Sequence, residues 1–214
     1  MEAAGNPGVR RSMTAAEIES AIADAGLGAL PREVVNRFQT YLELLLKWNA
    51  RLNLTAIRDP EGILHRHFVE CIFTGQRLPA DIHTLLDFGS GGGFPGVPIA
   101  LCRPEIRVML GEAQARKASF LREVIRTLGL ENADVFQGRV ETLERVFDVV
   151  ALRAVDKMQE ACRAAVPKIA PEGYLVLLTT AGMAPSLQVD QISWLAPDTL
   201  PRSAQGLLLI GRRG

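Results

Sequence analysis

The stretch from Asp87 to Gly96, D-F-G-S-G-G-G-F-P-G, limits what this chain can fold into more than any other part of it. An apolar run with an acidic end, Thr84-Leu85-Leu86-Asp87-Phe88, leads straight in, and five of the ten positions counted from Asp87 are glycine. Glycine at that density between a strand and a helix means that backbone takes positive φ, or approaches something closely, or both. A nucleotide-like ligand is the usual occupant of such a turn; a plain tight turn is the bland alternative. Pro95 and Pro98 suit a first helical turn, where backbone N–H groups lack partners. A helix starting near Phe94 or Pro95 and running to about Cys102 is therefore expected.

Two ligand classes compete for the loop. Gly91, Gly93 and Gly96 satisfy the dinucleotide spacing G-x-G-x-x-G. Asp87, Gly89, Gly91 and Gly93 satisfy acidic-x-Gly-x-Gly-x-Gly, the spacing of methyltransferases that use S-adenosylmethionine. A pyrophosphate on the helix N-terminus wants the loop free of negative charge. A carboxylate at Asp87 would repel it and would suit a cationic ligand, and S-adenosylmethionine carries a sulfonium and an ammonium group. The sign of the charge favours the methyl donor.

The rest of the chain alternates in a way that defines a fold. Thr14-Ala15-Ala16-Glu17 reads as a capping box opening a helix to about Ala25, closed by Gly26 and Gly28. Pro31 opens a longer helix, with Val34, Val35, Phe38, Tyr41, Leu42, Leu45 and Leu46 as its apolar stripe, ending near Asn49 or Leu52. Asp59-Pro60 starts a third helix to about Gly75. From residue 84 short strands follow, Thr84 to Phe88, Arg107 to Gly111, Asp134 to Gln137, Phe147 to Leu152, Tyr174 to Thr179 and Leu207 to Gly211. Helices lie between them, notably Ala115 to Leu128 and Lys157 to Ile169. Such alternation predicts an α/β fold, a parallel sheet covered on both faces, with ligands beyond the carboxyl ends of its strands. Asp87, Glu112, Gly138 and Arg153 would gather there. The expected organisation is a disordered leader over residues 1–13, a helical extension over 14–80 and a ligand-binding domain over 81–214.

Bulk properties exclude several classes. The chain has 214 residues, 24 basic and 24 acidic, so it is not a generally basic nucleic-acid binder. Cys71, Cys102 and Cys162 are far apart, which suggests neither a zinc site nor a disulfide framework but idle thiols in a reducing cytoplasm. No apolar run reaches the length of a membrane span, and the first 13 residues lack a signal-peptide core.

Glu112 ends the second strand, 23 positions after Gly89. An acidic residue there accepts hydrogen bonds from a ribose diol, which both candidate ligands carry. Arg139 and Arg153 stand at strand ends, where each could meet a phosphate or hold a carboxylate. His67 and Glu70 share a helical face, but with only three histidines in the chain a structural or ligand-contacting role outweighs a metal site, and no metal is expected. Trp48 and Tyr41 read as core aromatics.

Taken in order, Lys47-Trp48-Asn49-x-x-Leu52-Asn53-Leu54-Thr55, Arg66-His67-Phe68, Gly89-Ser90-Gly91-Gly92-Gly93-Phe94-Pro95-Gly96, Gly138-Arg139-Val140-Glu141 and Arg153-Ala154 resemble the ribosomal RNA small subunit methyltransferase G family, also called glucose-inhibited division protein B. The resemblance runs from about Pro31 to Lys168. It implies a class I methyltransferase, Rossmann-like, with a mostly parallel seven-stranded sheet and an N-terminal helical extension. It implies S-adenosylmethionine as donor and a guanine N7 of 16S ribosomal RNA as acceptor, in free RNA or an assembled small subunit. Carried over by position, Gly89, Gly91, Phe94, Glu112, Val140, Glu141 and Arg153 would line the donor site, beside Asp87 and Gly93 of the loop. Arg66, His67 and Arg139 would lie where RNA enters. Guanine N7 has a free lone pair and no proton to lose, so no general base is required. The chain departs from the family at Glu70-Cys71, where Asp-Ser is usual, and at Thr179-Thr180-Ala181-Gly182, where a Lys-Gly is usual. Its tail ends in Arg212-Arg213, which would supply positive charge for RNA. The competing readings are a nicotinamide-dependent oxidoreductase, which lacks a convincing Tyr-Lys pair, and a donor-binding module without activity.

Overall fold

The computed structural model describes residues 13–154 and 157–214. The expected leader lies outside the described residues except for Met13, which packs against the core. Helix α1 (Ala15–Asp24) opens on the capping box: Thr14 Oγ1 accepts from the Glu17 N–H at 3.3 Å, and the Glu17 carboxylate accepts from the Thr14 N–H at 2.7 Å. Helix α2 (Arg32–Leu52) starts after Pro31 and buries Val35, Phe38, Tyr41, Leu42 and Leu45. It stops where Asn53 turns into the left-handed region at φ 47°.

The third helix starts on its Asp59 cap and continues to Arg77, with an interruption that propensity does not foretell. It comprises α3 (Pro60–Ile63), a π-helical stretch (Leu64–Val69) and α4 (Glu70–Arg77). The wider π turn is a rare state that is frequent at functional sites, and here it carries His65, Arg66 and His67.

The strands are β1 (Thr84–Phe88), β2 (Arg107–Glu112), β3 (Ala133–Gln137), β4 (Phe147–Arg153), β5 (Ile169–Thr180), β6 (Ile192–Trp194), β7 (Asp198–Thr199) and β8 (Gly206–Arg213). Their order is β3-β2-β1-β4-β5-β8-β6, parallel from β3 to β5, with β8 and β6 antiparallel. The seven-stranded, mostly parallel sheet is present. β7 is an eighth, two-residue addition on β8. β6 and β7, three and two residues long, are too short for an apolar alternation to mark them in the sequence.

Helices α5 (Gly96–Cys102), α6 (Ala115–Leu128) and α7 (Met158–Ala165) connect the parallel strands. Helix α7 ends short of the expected Ile169 because Pro167 has no N–H to continue it, and the chain passes through a 3₁₀ turn at Val166–Lys168.

Period-two alternation sorts the strands onto two cores. Leu85, Val149, Ala151 and Val176 face one side, with the N-terminal helices and α5 and α6. Leu86, Val150, Leu152 and Leu177 face the other, with Met158, Ala161, Cys162 and Ala165 of α7. The first core runs unbroken from Ala15 to Ile210. Among the described residues no helix is long and apolar enough to cross a membrane.

Candidate functional site

Parallel strands bring their carboxyl ends to one rim, and there the glycine loop leaves β1. Backbone N–H groups of Gly89 and Ser90 both donate to Gly111 O of β2, at 3.0 and 2.9 Å. The loop is then wound back by Gly93 and Phe94 N–H groups donating to Ser90 O. Gly93 sits at φ 93°, and a Cβ there would lie 2.6 Å from Tyr41 Oη and 2.8 Å from Val97 Cγ2. Glycine is needed at that position both for the backbone angle and for the packing.

Three contacts hold the loop. The Glu112 carboxylate accepts from the Gly91 N–H at 3.0 Å with one oxygen and from the Gln114 N–H at 2.7 Å with the other. Each oxygen keeps a second lone pair, so the carboxylate can still receive a diol. The Tyr41 hydroxyl, fully buried on α2, donates to Gly92 O, and burial raises its phenol well above the ordinary value. Asp87 Oδ2 accepts from the Gly96 N–H at 3.0 Å and so fastens the start of α5 to β1.

Asp87 is completely buried behind the loop, and its Oδ1 has no hydrogen-bond partner. Burial pushes its carboxyl up to about 7 against the opposing pull of the Gly96 N–H. A charged face toward a ligand, as the acidic-x-Gly spacing suggests, is not what this side chain presents; it acts on the loop from beneath.

In front of the loop lies a cavity of about 470 Å³. It collects Gly89, Gly91, Phe94, Glu112, Arg153 and His67 from the residues singled out in the sequence. Gly93 points away, toward α2. Val140 is buried against Gly111, while Glu141 and Arg139 are exposed and pair with each other at 3.4 Å. Arg66 hydrogen-bonds Glu70 at 3.1 Å and stays outside the cavity lining.

The opposite wall comes from the extension. Asn49, only 2% exposed, donates from Nδ2 to Thr55 O and Ile57 O and accepts from the Thr55 N–H, which fixes the segment 53–57 over the glycine loop. Thr55 Oγ1 and His67 Nε2 are hydrogen-bonded at 2.7 Å. The His67 ring stacks on Phe94, centroids 4.5 Å apart and 23° between planes. Burial, reinforced by the Arg153 guanidinium, pushes His67 down to about 3, so the imidazole is neutral.

Arg153 ends β4 and is locked by three partners. It donates to Glu70 Oε2 at 2.8 Å, to Cys71 Sγ at 3.3 Å and to Arg66 O in the π turn. The two residues that depart from the family pattern, Glu70 and Cys71, are thus both Arg153 partners. Burial raises the Glu70 carboxyl while Arg153 and Arg66 draw it down. The pair is nearly dry, with side chains 10% and 2% exposed. Thr179, which opens the stretch where the family usually has Lys-Gly, is buried with its hydroxyl unpartnered. The Arg212-Arg213 tail is not at the rim: β8 runs antiparallel, so these residues end beside the start of β5, where Arg212 pairs with Glu172 at 2.7 Å.

Among the described residues no group of three His, Cys, Asp or Glu side chains is placed to hold a metal. Among the residues that build the site, Tyr41, Asn49 and Thr55 have no such role assigned in the sequence, and Glu70 only a place beside His67 on one helical face. Asn49 and Thr55 lie inside a quoted motif, which is a signal; Tyr41 meets the loop 51 positions away with no local signal at all.

A family profile described as GidB, rRNA small subunit methyltransferase G, matches residues 34–203. The ribosomal RNA small subunit methyltransferase G of Stenotrophomonas maltophilia (strain K279a) is 36% identical over 197 residues, which is 90% of each chain. That of Neisseria meningitidis serogroup B is 34% identical over 173 residues, 78% of this chain and 82% of the relative. Among solved structures, TrmN from Thermus thermophilus aligns with a TM-score of 0.56 at 16% identity, over 71% of this chain and 53% of that one. A SAM dependent methyltransferase from Aquifex aeolicus aligns with a TM-score of 0.54 at 14% identity, over 72% and 93%. Likeness at that identity speaks for the sheet and its helices alone.

Proposed function

Because the chain belongs to the rRNA small subunit methyltransferase G family, we propose that its rim cavity binds S-adenosylmethionine and that the enzyme methylates N7 of a guanine in 16S ribosomal RNA. The observation that carries the donor assignment is Glu112, a carboxylate at the end of β2 that lines the cavity while bracing the glycine loop. A ribose diol placed there meets an acceptor already oriented by two N–H groups. Gly89, Gly91 and Phe94 form the floor, and Arg153 is held rigidly at the far side by Glu70 and Cys71.

When bound, the donor supplies a methyl group on a positively charged sulfur, activated for attack by a lone pair. The chain's own part is placement. Guanine N7 attacks without losing a proton, so a general base would add nothing. The residues at the mouth agree with that demand: His67 is neutral, half-buried and already bonded to Thr55, and its flat face packed on Phe94 gives a rigid wall beside the acceptor's path. Rigid walls lower the barrier by fixing approach and excluding water.

Calorimetric titration with S-adenosylmethionine, with its demethylated product and with NAD tests the donor. The first two bind and NAD does not; tight NAD binding without either of the others overturns the reading. Methylation of undermodified small ribosomal subunits, with the modified atom identified by mass spectrometry of the released nucleoside, tests the acceptor. A methyl on any atom other than guanine N7 removes that part, and no methyl at all leaves a binding module.

A further inference from the structure

We propose that the groove between the C-terminal half of α2 and the N-terminal half of α6 holds the phosphodiester backbone of the RNA strand that flanks the target base. The inference rests on the RNA-methylating reading above and assigns it a face that the loop and its cavity do not include. The groove encloses about 450 Å³ and is lined by Lys47, Trp48, Arg51 and Leu52 from α2 and by Arg116, Ser119 and Glu123 from α6.

Its charge is the first argument. The chain as a whole carries no net charge, yet this groove sets three cations against one carboxylate. Lys47, Arg51 and Arg116 are exposed. Among the described residues none of their side chains, nor that of Lys117, forms an ion pair or hydrogen bond. Arg66, Arg139 and Arg212, which the sequence also offers to RNA, are each spent on a carboxylate.

Their position on α6 is the second. Arg116 and Lys117 stand in the first turn of that helix, which has no acidic residue and no side-chain cap. Cations at the positive end of a helix dipole oppose the helix. The same arrangement adds the dipole to the side-chain charge and raises the local potential for an anion.

Continuity with the cavity is the third. On α6, Arg116 lines the groove while its neighbour Lys117 lines the donor cavity. On the other wall Leu52 lines the groove while Asn53 and Leu54 line the cavity. Consecutive residues on both walls thus line the two depressions, which sets the groove beside the cavity, so a strand in the groove has its next base close to the glycine loop. Trp48, half-buried against Phe120 at a centroid distance of 5.7 Å, gives the groove a firm apolar floor for sugar or base.

The test is the triple variant Lys47→Ala/Arg51→Ala/Arg116→Ala, assayed on undermodified small ribosomal subunits across a salt series. A matched control, Arg107→Ala/Arg163→Ala/Arg212→Ala, removes three exposed cations elsewhere. Each lost phosphate contact lowers the slope of log affinity against log salt by roughly 0.7 for a single strand. The groove variant is expected to raise KM about tenfold or more at low salt, with a slope shallower by roughly 2 and with kcat and S-adenosylmethionine affinity unchanged. An unchanged KM and slope, or an equal change in the control, overturns the proposal. Failure of the unaltered protein to bind the donor or to methylate the subunit would instead strike the functional reading on which it rests.

Discussion

Replacing Asp87 by asparagine separates two roles for a carboxylate beneath a ligand loop. The side chain is fully buried, one oxygen receives the Gly96 N–H, and the other has no partner. Burial holds the carboxyl at about 7 in the folded protein, against about 3.9 when unfolded. The folded pKa is raised, so this group contributes stability that is complete below the unfolded value and is lost as pH rises through about 7. At pH 6 the folded state holds about 0.9 of a proton more than the unfolded state, and at pH 8.5 almost none; integrating that excess gives roughly 1.4 kcal/mol lost between the two pH values. The amide of the Asp87→Asn variant keeps an oxygen for Gly96 and cannot titrate. The stability difference between the two proteins should therefore shift by about 1.4 kcal/mol from pH 6 to pH 8.5 in favour of the variant, equivalent to roughly 3–6 °C in a chain of this size. Every other titrating group, His67 included, cancels in the comparison. Thermal melts of both proteins at pH 6, 7 and 8.5 measure it. Parallel pH profiles would refute the buried carboxyl. Titration at pH 8 supplies the second half. Because Asp87 acts on the loop and not on the ligand's charge, Asp87→Asn should change the affinities for S-adenosylmethionine and for its neutral-sulfur product by the same factor. Selective loss of the cationic donor would show that the carboxylate's field reaches the ligand after all.

Other substitutions report on the supports of the site. Tyr41→Phe leaves Gly92 O without its donor and should cost about 1–3 kcal/mol in denaturant unfolding, with weaker donor binding; unchanged stability would mean that the loop does not lean on α2. Glu70→Ala strands the buried Arg153 guanidinium and should cost about 3–5 kcal/mol, much of it recovered in Glu70→Gln if hydrogen bonding rather than charge dominates; a cost below about 1 kcal/mol for the alanine would show water reaching the pair. His67 is held down to about 3 by burial, so the folded state takes up fewer protons than the unfolded one below about pH 6.5. Its contribution falls as pH drops, by about 1.9 kcal/mol between pH 7 and pH 5, and His67→Gln should remove that loss; a melt series that keeps the same acid slope in the variant would refute it.

The sheet was legible because its causes are local. Strands β1, β2 and β4 appear within a residue or so of their apolar runs, and α6 spans the expected residues, since buried parallel strands and amphipathic helices write their burial as period. Thr14 and Asp59 mark helix starts through side-chain bonds to the nearest N–H groups and Pro31 through its fixed φ, and neither device needs a distant partner. Glycines at 89, 91 and 93 announced positive φ, and the backbone adopts it at each. Gathering of Glu112, Arg153 and the loop at one rim followed from parallel strands alone.

What stayed hidden depends on what lies across a contact. Asp87 stands at the right place in the chain for either a ligand-facing charge or a buried anchor, and only the packing of α5 on β1 decided for the anchor. Arg153 gives no sign in the sequence that its partners are Glu70, Cys71 and a carbonyl of a π turn, nor Tyr41 that it fastens a glycine loop. The chain's own chemistry set the loop, the strands and the acidic strand ends, because short-range sterics and burial act on neighbours. The direction of each carboxylate, the neutrality of His67 and the gathering of cations between α2 and α6 came from tertiary structure, because solvation and pairing belong to the space a side chain is packed into and not to its place in the chain.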